Sequence, residues 1–283
     1  MKPQLDCIPC LVKNAFNVAN LSTDDEDLKR EILNRVLQQM ASLDWDRPPT
    51  FTAWQSYQIA SEISGNPNPY QAEKQNSISL AWKLLEALKK DYGNKLDDFT
   101  QRLKLAIAGN VLDYSIYGDL NLDLAMEVIV QALEKPIDND AISRLKQEID
   151  NAGSILYLLD NAGESVYDSF FIEPFKHKVT LGVRGLPASN DVTYEDLEPS
   201  GLDGIPVVDN ATNLPGVIPE FSPPAMLDAL KNADLIIAKG QGNFESLNET
   251  DYPIVFLFMA KCPAVCRVIN AAPQSLQVLF NQP

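Results

Sequence analysis

The sequence predicts an α/β protein in which a helical N-terminal region is followed by a doubly wound domain with a mainly parallel sheet. Apolar residues recur at three- and four-residue spacing up to about residue 151, as on amphipathic helices. From residue 154 onward they form short continuous runs, which are typical of parallel strands buried on both faces. Helix signals between several runs indicate βαβ units. We therefore expect two domains, residues 1–150 and 151–283.

The predicted elements follow from these two patterns. Leu28, Ile32, Val36 and Met40 form a helical stripe at four-residue spacing. Ser222 followed by Pro223 predicts a helix start, with serine as the cap and proline at the first helical position. The apolar runs predict five strands, at residues 155–159, 179–183, 205–208, 235–238 and 254–259.

Composition excludes several classes of protein. The 283 residues carry 39 acidic and 23 basic side chains, a formal charge of −16 that repels nucleic acid and anionic membranes. No run of 18 apolar residues predicts a membrane span, and the first ten residues lack the pattern of a signal peptide. We therefore expect a cytoplasmic protein that binds neither nucleic acid nor a membrane. Serine-hydrolase triads and histidine-rich zinc sites need histidines, so a catalytic role must rest on the single histidine, His177, or on other chemistry.

Polar residues follow two of the predicted strands at their carboxyl ends, where ligands bind in open α/β sheets. Asp160 and Asn161 follow the first strand, Arg184 ends the second, and Asp191 lies in the loop after it. Carboxylate and amide oxygens suit Mg²⁺ or Mn²⁺. The alternative is a helix-capping turn at Asp160 and an ordinary loop aspartate at Asp191.

A glycine-rich turn ends the fourth predicted strand. Lys239-Gly240-Gln241-Gly242 resembles part of a dinucleotide-binding fingerprint, but Glu245 replaces the third glycine and the motif does not open the domain. A nicotinamide cofactor is therefore disfavoured. The turn can still hold a phosphate through backbone N–H groups and the lysine charge.

Two other features allow more than one interpretation. In the predicted helix from Phe99 to Tyr114, Asn110 lies at the centre of the apolar face and Asp113 at its edge, so either they face a site or they are satisfied buried polar groups. The cysteines form two local pairs, which could bind zinc together or remain buried thiols: Cys7 with Cys10 and Cys262 with Cys266.

In their order along the chain, these motifs resemble the damage-control phosphatase family, also known as domain of unknown function 89, in its prokaryotic branch. The resemblance covers nearly the whole chain. It rests on Asp6-Cys7-Ile8-Pro9-Cys10, Pro69-Tyr70 with Lys74, and residues 108–113, 160–164, 190–193, 239–245 and 261–263. One departure is Cys266, where alanine is more usual.

The resemblance implies a Rossmann-like α/β/α domain and hydrolysis of phosphorylated small metabolites, namely sugar phosphates or damaged cofactor or nucleotide phosphates. It also implies a divalent metal: Mn²⁺, Co²⁺, Ni²⁺ or Mg²⁺. It places the metal-binding and catalytic residues at Asp160, Asn161 and Asp191. The predicted substrate-binding residues are Glu164, Arg184, Lys239, Asn243, Asn110 and Asp113, with Lys239 holding phosphate. Whether Asp160 also attacks phosphorus is left open.

Two alternatives belong to other classes. A carboxyl methyltransferase using S-adenosylmethionine would usually carry a glycine-rich loop after its first strand, where this chain has Asp160-Asn161. A non-catalytic protein that binds a metal or metabolite is the other. The sequence leaves the physiological substrate, the preferred metal and the oligomeric state open.

Overall fold

The N-terminal part of the chain is helical throughout its described length. The structure is a computed structural model that describes residues 1–109 and 122–281. The helices of this part are α1 (Cys7–Ser22), α2 (Glu26–Met40), α3 (Pro49–Ser64), α4 (Gln71–Tyr92), α5 (Phe99–Ala108), α6 (Leu122–Glu134) and α7 (Asn139–Asn151), with a 3₁₀ helix at Gly93–Asp97.

A six-stranded sheet with intervening helices occupies the rest of the chain. In chain order its elements are β1 (Ile155–Leu158), α8 (Ala162–Ile172), β2 (Val179–Val183), β3 (Val207–Asp209), α9 (Pro224–Asn232), β4 (Leu235–Lys239), α10 (Gly240–Leu247), β5 (Ile254–Met259), α11 (Pro263–Ile269) and β6 (Leu276–Phe280). Further 3₁₀ turns are Glu173–Lys178, Tyr194–Asp196 and Pro219–Phe221.

The strand order is β3-β2-β1-β4-β5-β6, and every pair is parallel except β5 with β6. This order reverses direction between β1 and β4, as in Rossmann-type sheets, where ligands bind outside the carboxyl ends of the strands. The predicted fold class, a helical region followed by a Rossmann-like α/β/α sheet, is therefore confirmed.

Alternating strand residues bury the two faces of the sheet in separate cores. Ile155 and Tyr157 of β1 join a core with α4 to α8, whereas Leu156 and Leu158 join a core with α9 to α11. A third, smaller core lies among α1, α2 and α3. Because residues of α4 to α8 and of one face of the sheet belong to the same core, the helical region and the sheet are packed together. A division into domains at residue 150 stays a prediction.

Three local features differ from the prediction. Strand β3 spans Val207–Asp209, so it begins two residues later than the predicted strand at 205–208. The predicted helix start at Ser222 is one residue early: helix α9 begins at Pro224 with Pro223 in the cap position. The Ser222 hydroxyl instead donates to the Ile218 carbonyl and closes the preceding 3₁₀ turn. Strand β6 was not predicted, and it covers the edge of β5 in antiparallel register.

None of the described helices is both long enough and apolar enough to cross a lipid bilayer.

A buried ion pair joins helix α4 to the loop after β2. The Lys74 ammonium lies 2.5 Å from Asp196 Oδ2 and 3.3 Å from Thr193 Oγ1, and only 3% of the Lys74 side chain is exposed. Asp196 Oδ2 also accepts from the backbone N–H and the hydroxyl of Thr193, each at 2.7 Å. The same carboxylate therefore closes a capping box and holds a cation from the helical region.

Replacing Lys74 by Met should lower the free energy of unfolding by about 3–5 kcal/mol, because it leaves the buried Asp196 carboxylate without its cation. Chemical denaturation measures the change. The matched control is Lys176→Met, which removes an ammonium from an exposed pair with Glu173 and should cost less than about 1 kcal/mol. Equal effects of the two substitutions would show that the Lys74 pair does not fasten the loop.

Candidate functional site

The turns after β1 and β2 are joined by backbone hydrogen bonds. The Val192 N–H donates to the Asp160 carbonyl at 2.8 Å, and the Ala162 N–H donates to the Asn190 carbonyl at 2.9 Å. Asn161 and Asp191 consequently form an antiparallel bridge. The three residues predicted as metal ligands, Asp160, Asn161 and Asp191, are thus brought together by the main chain itself.

The two carboxylates of this group are buried and repel each other. Asp160 is 9% exposed and Asp191 is 5% exposed. Burial raises the pKa of Asp160 well above its usual value, and the negative charges of Asp191 and Glu164 raise it further. Burial also raises the pKa of Asp191, although Arg184 acts in the opposite direction. The pair therefore favours any positive charge that enters between its oxygens.

Arg184 supplies part of that charge from the end of β2. Its Nε donates to Asp191 Oδ2 at 2.7 Å, and its Nη2 donates to the Leu159 carbonyl at 3.3 Å. The residue is 1% exposed. Within residues 1–109 and 122–281, Nη1 has no hydrogen-bond acceptor. Arg184 is therefore an ion-pair partner of Asp191 with one donor nitrogen still available.

The start of helix α10 lies against the Asp160 carboxylate. Gly240 has a φ of 78°, in the left-handed region that favours glycine. A Cβ atom at this position would also collide with the Asp160 side chain. Both the backbone conformation and the close approach of the Asp160 carboxylate therefore require glycine at position 240.

The oxygen atoms at this edge fit a hard divalent cation. Two buried carboxylates that repel each other and an adjacent amide form a donor set of the kind that Mg²⁺ or Mn²⁺ takes. The Asn161 Nδ2 donates to Asp160 Oδ2 at 3.2 Å, which leaves the amide oxygen as the end that can bind a cation. No cluster of three or more His, Cys, Asp or Glu side chains in the described chain is arranged to hold a metal. A third protein ligand would therefore be the Asn161 amide.

Lys239 lies beneath this edge in a fully buried ion cluster. Its Nζ donates to Glu164 Oε1 at 2.6 Å, to Asp168 Oδ1 at 2.6 Å and to the Ala106 carbonyl at 2.9 Å. These contacts use all three ammonium N–H groups. In this arrangement Lys239 holds Glu164 and helix α5 in place, and its predicted contact with phosphate stays a prediction.

Asp168, the third member of the ion cluster, was not among the predicted site residues. Burial raises the pKa of Asp168 to about 7, although Lys239 acts in the opposite direction. The Tyr157 hydroxyl also donates to Asp168 Oδ1, at 2.7 Å. A sequence signal did exist, because Asp168 follows Glu164 by four residues and so lies on the same face of α8.

Asn243, the remaining described candidate for substrate binding, is engaged with the main chain. Its Nδ2 donates to the carbonyls of Lys239 at 2.8 Å and Leu159 at 3.3 Å, and its Oδ1 accepts from the Val217 N–H at 3.1 Å. It ties the loop before α9 to β1 and β4. Its predicted role in substrate binding also stays a prediction, as do those of Asn110 and Asp113, which lie outside the described residues.

The two cysteine pairs lie near each other at the start of α1 and of α11. Burial raises the pKa of Cys7 and of Cys10, and the neighbouring Cys262 raises both further. Cys262 likewise adds to the effect of burial in raising the pKa of Cys266. All four are free thiols. The two pairs are therefore neighbours, but no three of the four thiols are arranged to hold a metal, which favours free thiols over a shared zinc site.

Comparisons with known proteins extend this picture. The family model of the damage-control phosphatase ARMT1-like domain matches residues 4–276. A damage-control phosphatase of Pyrococcus horikoshii is 32% identical over 289 residues, which cover 100% of this chain and 99% of that protein. A damage-control phosphatase of Archaeoglobus fulgidus is 31% identical over 272 residues, 93% of this chain and 94% of that protein.

A solved structure agrees with these sequence matches. The crystal structure of a DUF89 family protein from Pyrococcus horikoshii superimposes with a TM-score of 0.89 at 30% identity, over 100% of both chains. The family match and the two relatives named as phosphatases support a phosphatase activity, and the shared fold agrees with them. The chain belongs to the damage-control phosphatase family.

Proposed function

We propose that the protein is a divalent-metal-dependent phosphatase that hydrolyses phosphate esters of small metabolites. The observation that carries the proposal is the pairing of two buried carboxylates, Asp160 and Asp191, with the Asn161 amide at the carboxyl ends of β1 and β2. Such oxygen donors suit Mn²⁺, Mg²⁺, Co²⁺ or Ni²⁺. Membership in a phosphatase family favours hydrolysis over the methyltransferase and the non-catalytic alternatives.

Asp160, Asn161 and Asp191 would hold the cation. When bound, a divalent cation polarises a phosphoryl oxygen and lowers the pKa of a coordinated water. Asp191 keeps its orientation through the bond from Arg184 Nε, and that positive charge favours its ionised form. The bond from the Val192 N–H fixes the main chain of Asp160, and Asn161 Nδ2 donates to the Asp160 carboxylate at 3.2 Å. Both carboxylates are therefore positioned before any ligand arrives.

Arg184 is the donor best placed to contact the phosphate ester. Its Nη1 has no acceptor in the described part of the chain, although Nε and Nη2 are both bonded. A buried guanidinium that lacks one acceptor gains stability when an anionic oxygen supplies it. Lys239 and Glu164 do not contact the substrate in this proposal. Their buried ion pair lies beneath the Asp160 turn and stabilises its position.

Replacing Asp160 by Asn should reduce metal-stimulated phosphatase activity by about a hundredfold or more, the scale of losing one main electrostatic group. A carboxyl whose folded-state pKa is raised destabilises the fold once pH rises above its unfolded value of about 4. The substitution should therefore keep or raise the melting temperature of the metal-free protein at neutral pH. It should also shrink the rise that Mn²⁺ produces.

Phosphatase assays and thermal denaturation with and without Mn²⁺ test this pair of expectations. Asp228→Asn is the matched control, because it makes the same chemical change on the exposed face of α9. Near-full activity in Asp160→Asn, together with an undiminished Mn²⁺ effect on melting, would remove Asp160 from the metal site and bring the binding-protein alternative forward.

Lys239→Met tests whether the lysine stabilises the fold or only contacts substrate. We expect the free energy of unfolding to fall by about 3–5 kcal/mol, because Glu164 and Asp168 would remain buried without their cation. Adding Glu164→Gln and Asp168→Asn to Lys239→Met should recover most of the loss, as measured by denaturant titration. Unchanged stability in the single variant, with a raised KM, would instead favour a role confined to phosphate binding.

A further inference from the structure

A groove of about 300 Å³ lies between helix α4 and the segment that contains residues 195–199. Its volume is roughly that of ten water molecules at about 30 Å³ each. Residues of one stripe of α4 form the floor and one wall, and the segment forms the other wall. Asp160, Asn161 and Asp191 do not line it. The groove is therefore separate from the carboxylate edge of the sheet.

Two contacts across the groove hold its walls together. The Lys74 ammonium of α4 lies 2.5 Å from Asp196 Oδ2, and the Trp82 indole N–H of α4 donates to the Pro199 carbonyl at 2.8 Å. The walls are consequently positioned without a ligand, which reduces the ordering cost of binding one.

Asn68 contributes a hydrogen-bond acceptor without a donor to this groove. Its Oδ1 is buried and accepts no hydrogen bond within residues 1–109 and 122–281. Its backbone is bonded on both sides, because its N–H donates to Asn66 Oδ1 at 3.1 Å and its carbonyl accepts from the Gln71 N–H at 3.3 Å. A buried acceptor without a partner destabilises the fold, so a ligand that donates to Oδ1 would remove this cost.

The opposite wall adds two carboxylates. Asp196 is 8% exposed, and its contacts with the described chain end on Oδ2, which leaves Oδ1 for a further donor. Glu195 is exposed and belongs to none of the ion pairs that the described residues form. The groove thus combines a buried amide oxygen, a buried carboxylate oxygen and an unpaired carboxylate.

The charges around the groove favour a cation over an anion. Two positive groups are present, the Lys74 ammonium and the N-terminus of α4, which carries about half a unit charge. The Lys74 charge is already paired with Asp196, whereas Glu195 has no such partner. An anion in the groove would therefore meet an unpaired carboxylate, while an ammonium group would find only acceptors among the free polar atoms named above.

The groove also offers carbon surface beside these acceptors. Ile78, which is 5% exposed, belongs to its lining, and Pro199 lies on the opposite wall. An alkyl chain between them would lose contact with water, which favours binding in proportion to the apolar area covered. A ligand with one ammonium end and a short hydrocarbon chain matches both parts of the lining.

We propose that this groove binds a primary alkylammonium ion, whose ammonium group donates to Asn68, Asp196 and Glu195 and whose chain lies against Ile78 and Pro199. The site is independent of the proposed phosphatase reaction, because it shares no residue with the carboxylate edge. It is nevertheless connected to that edge, since Asp196 caps the turn that begins at Thr193.

Three probes with the same chain and different end groups test the proposal: n-butylammonium, n-butanol and butyrate. Titration calorimetry on the metal-free protein at constant ionic strength should give a Kd of about 1 mM for n-butylammonium. The alcohol and the carboxylate should bind at least about tenfold more weakly.

Two substitutions locate the ligand. Asn68→Leu should weaken n-butylammonium binding by about tenfold. It should keep or raise the melting temperature of the free protein, because it removes a buried oxygen that has no donor. Glu195→Gln should weaken binding by about threefold, the scale of an exposed ion pair. The matched controls Asn76→Leu and Glu198→Gln make the same changes at exposed positions outside the groove lining and should leave Kd unchanged.

Equal binding of the three probes, tighter binding of butyrate, or no detectable binding of n-butylammonium would each overturn the proposal. So would an unchanged Kd in both Asn68→Leu and Glu195→Gln, because the amine would then bind elsewhere. If Asn68→Leu does not fold, Glu195→Gln and the comparison of the probes still decide. None of these measurements uses phosphatase activity, so their outcome leaves the proposed function untouched.

Discussion

The apposition of two buried carboxylates is the constraint on which the surrounding structure depends. Asp160 follows β1 and Asp191 lies in the loop after β2, and their charges repel each other in a site with little solvent. Such an arrangement persists only when the backbone holds it. Three features stabilise it here. Backbone hydrogen bonds join the two turns, the Arg184 guanidinium pairs with Asp191, and Gly240 leaves room for the Asp160 side chain.

The ion cluster around Lys239 shows that a residue that stabilises the fold and a residue that binds a ligand can look alike in a sequence. A lysine after a parallel strand and beside glycines reads as a phosphate ligand, yet here the ammonium is surrounded by Glu164, Asp168 and the Ala106 carbonyl. The cluster joins β4, α8 and α5 at one point. The geometry of the carboxylate edge therefore depends on charges that solvent does not reach.

Much of this architecture follows from local patterns. The continuous apolar runs give the parallel strands because a strand buried on both faces cannot alternate, and strand-end polar residues mark the ligand edge because parallel carboxyl ends meet there. Partners distant in sequence were not predictable in this way. The pairing of Lys74 with Asp196 and of Trp54 with Asn213 joins residues more than a hundred positions apart, and only the packed structure selects one partner among many. Strand β6 was missed because Gln277 interrupts its apolar run.

The third core, among α1, α2 and α3, is distinct from the two cores that pack against the sheet. Val18 and Tyr57 belong both to that core and to the lining of a cavity of about 120 Å³ beside Asp191. The carboxylates themselves are positioned by the sheet and by Arg184. Substitutions that repack the three helices can therefore reshape the cavity while the carboxylate edge stays unchanged. Related proteins could then differ in the metabolites that fit beside the three helices while they retain the same carboxylates at the sheet edge.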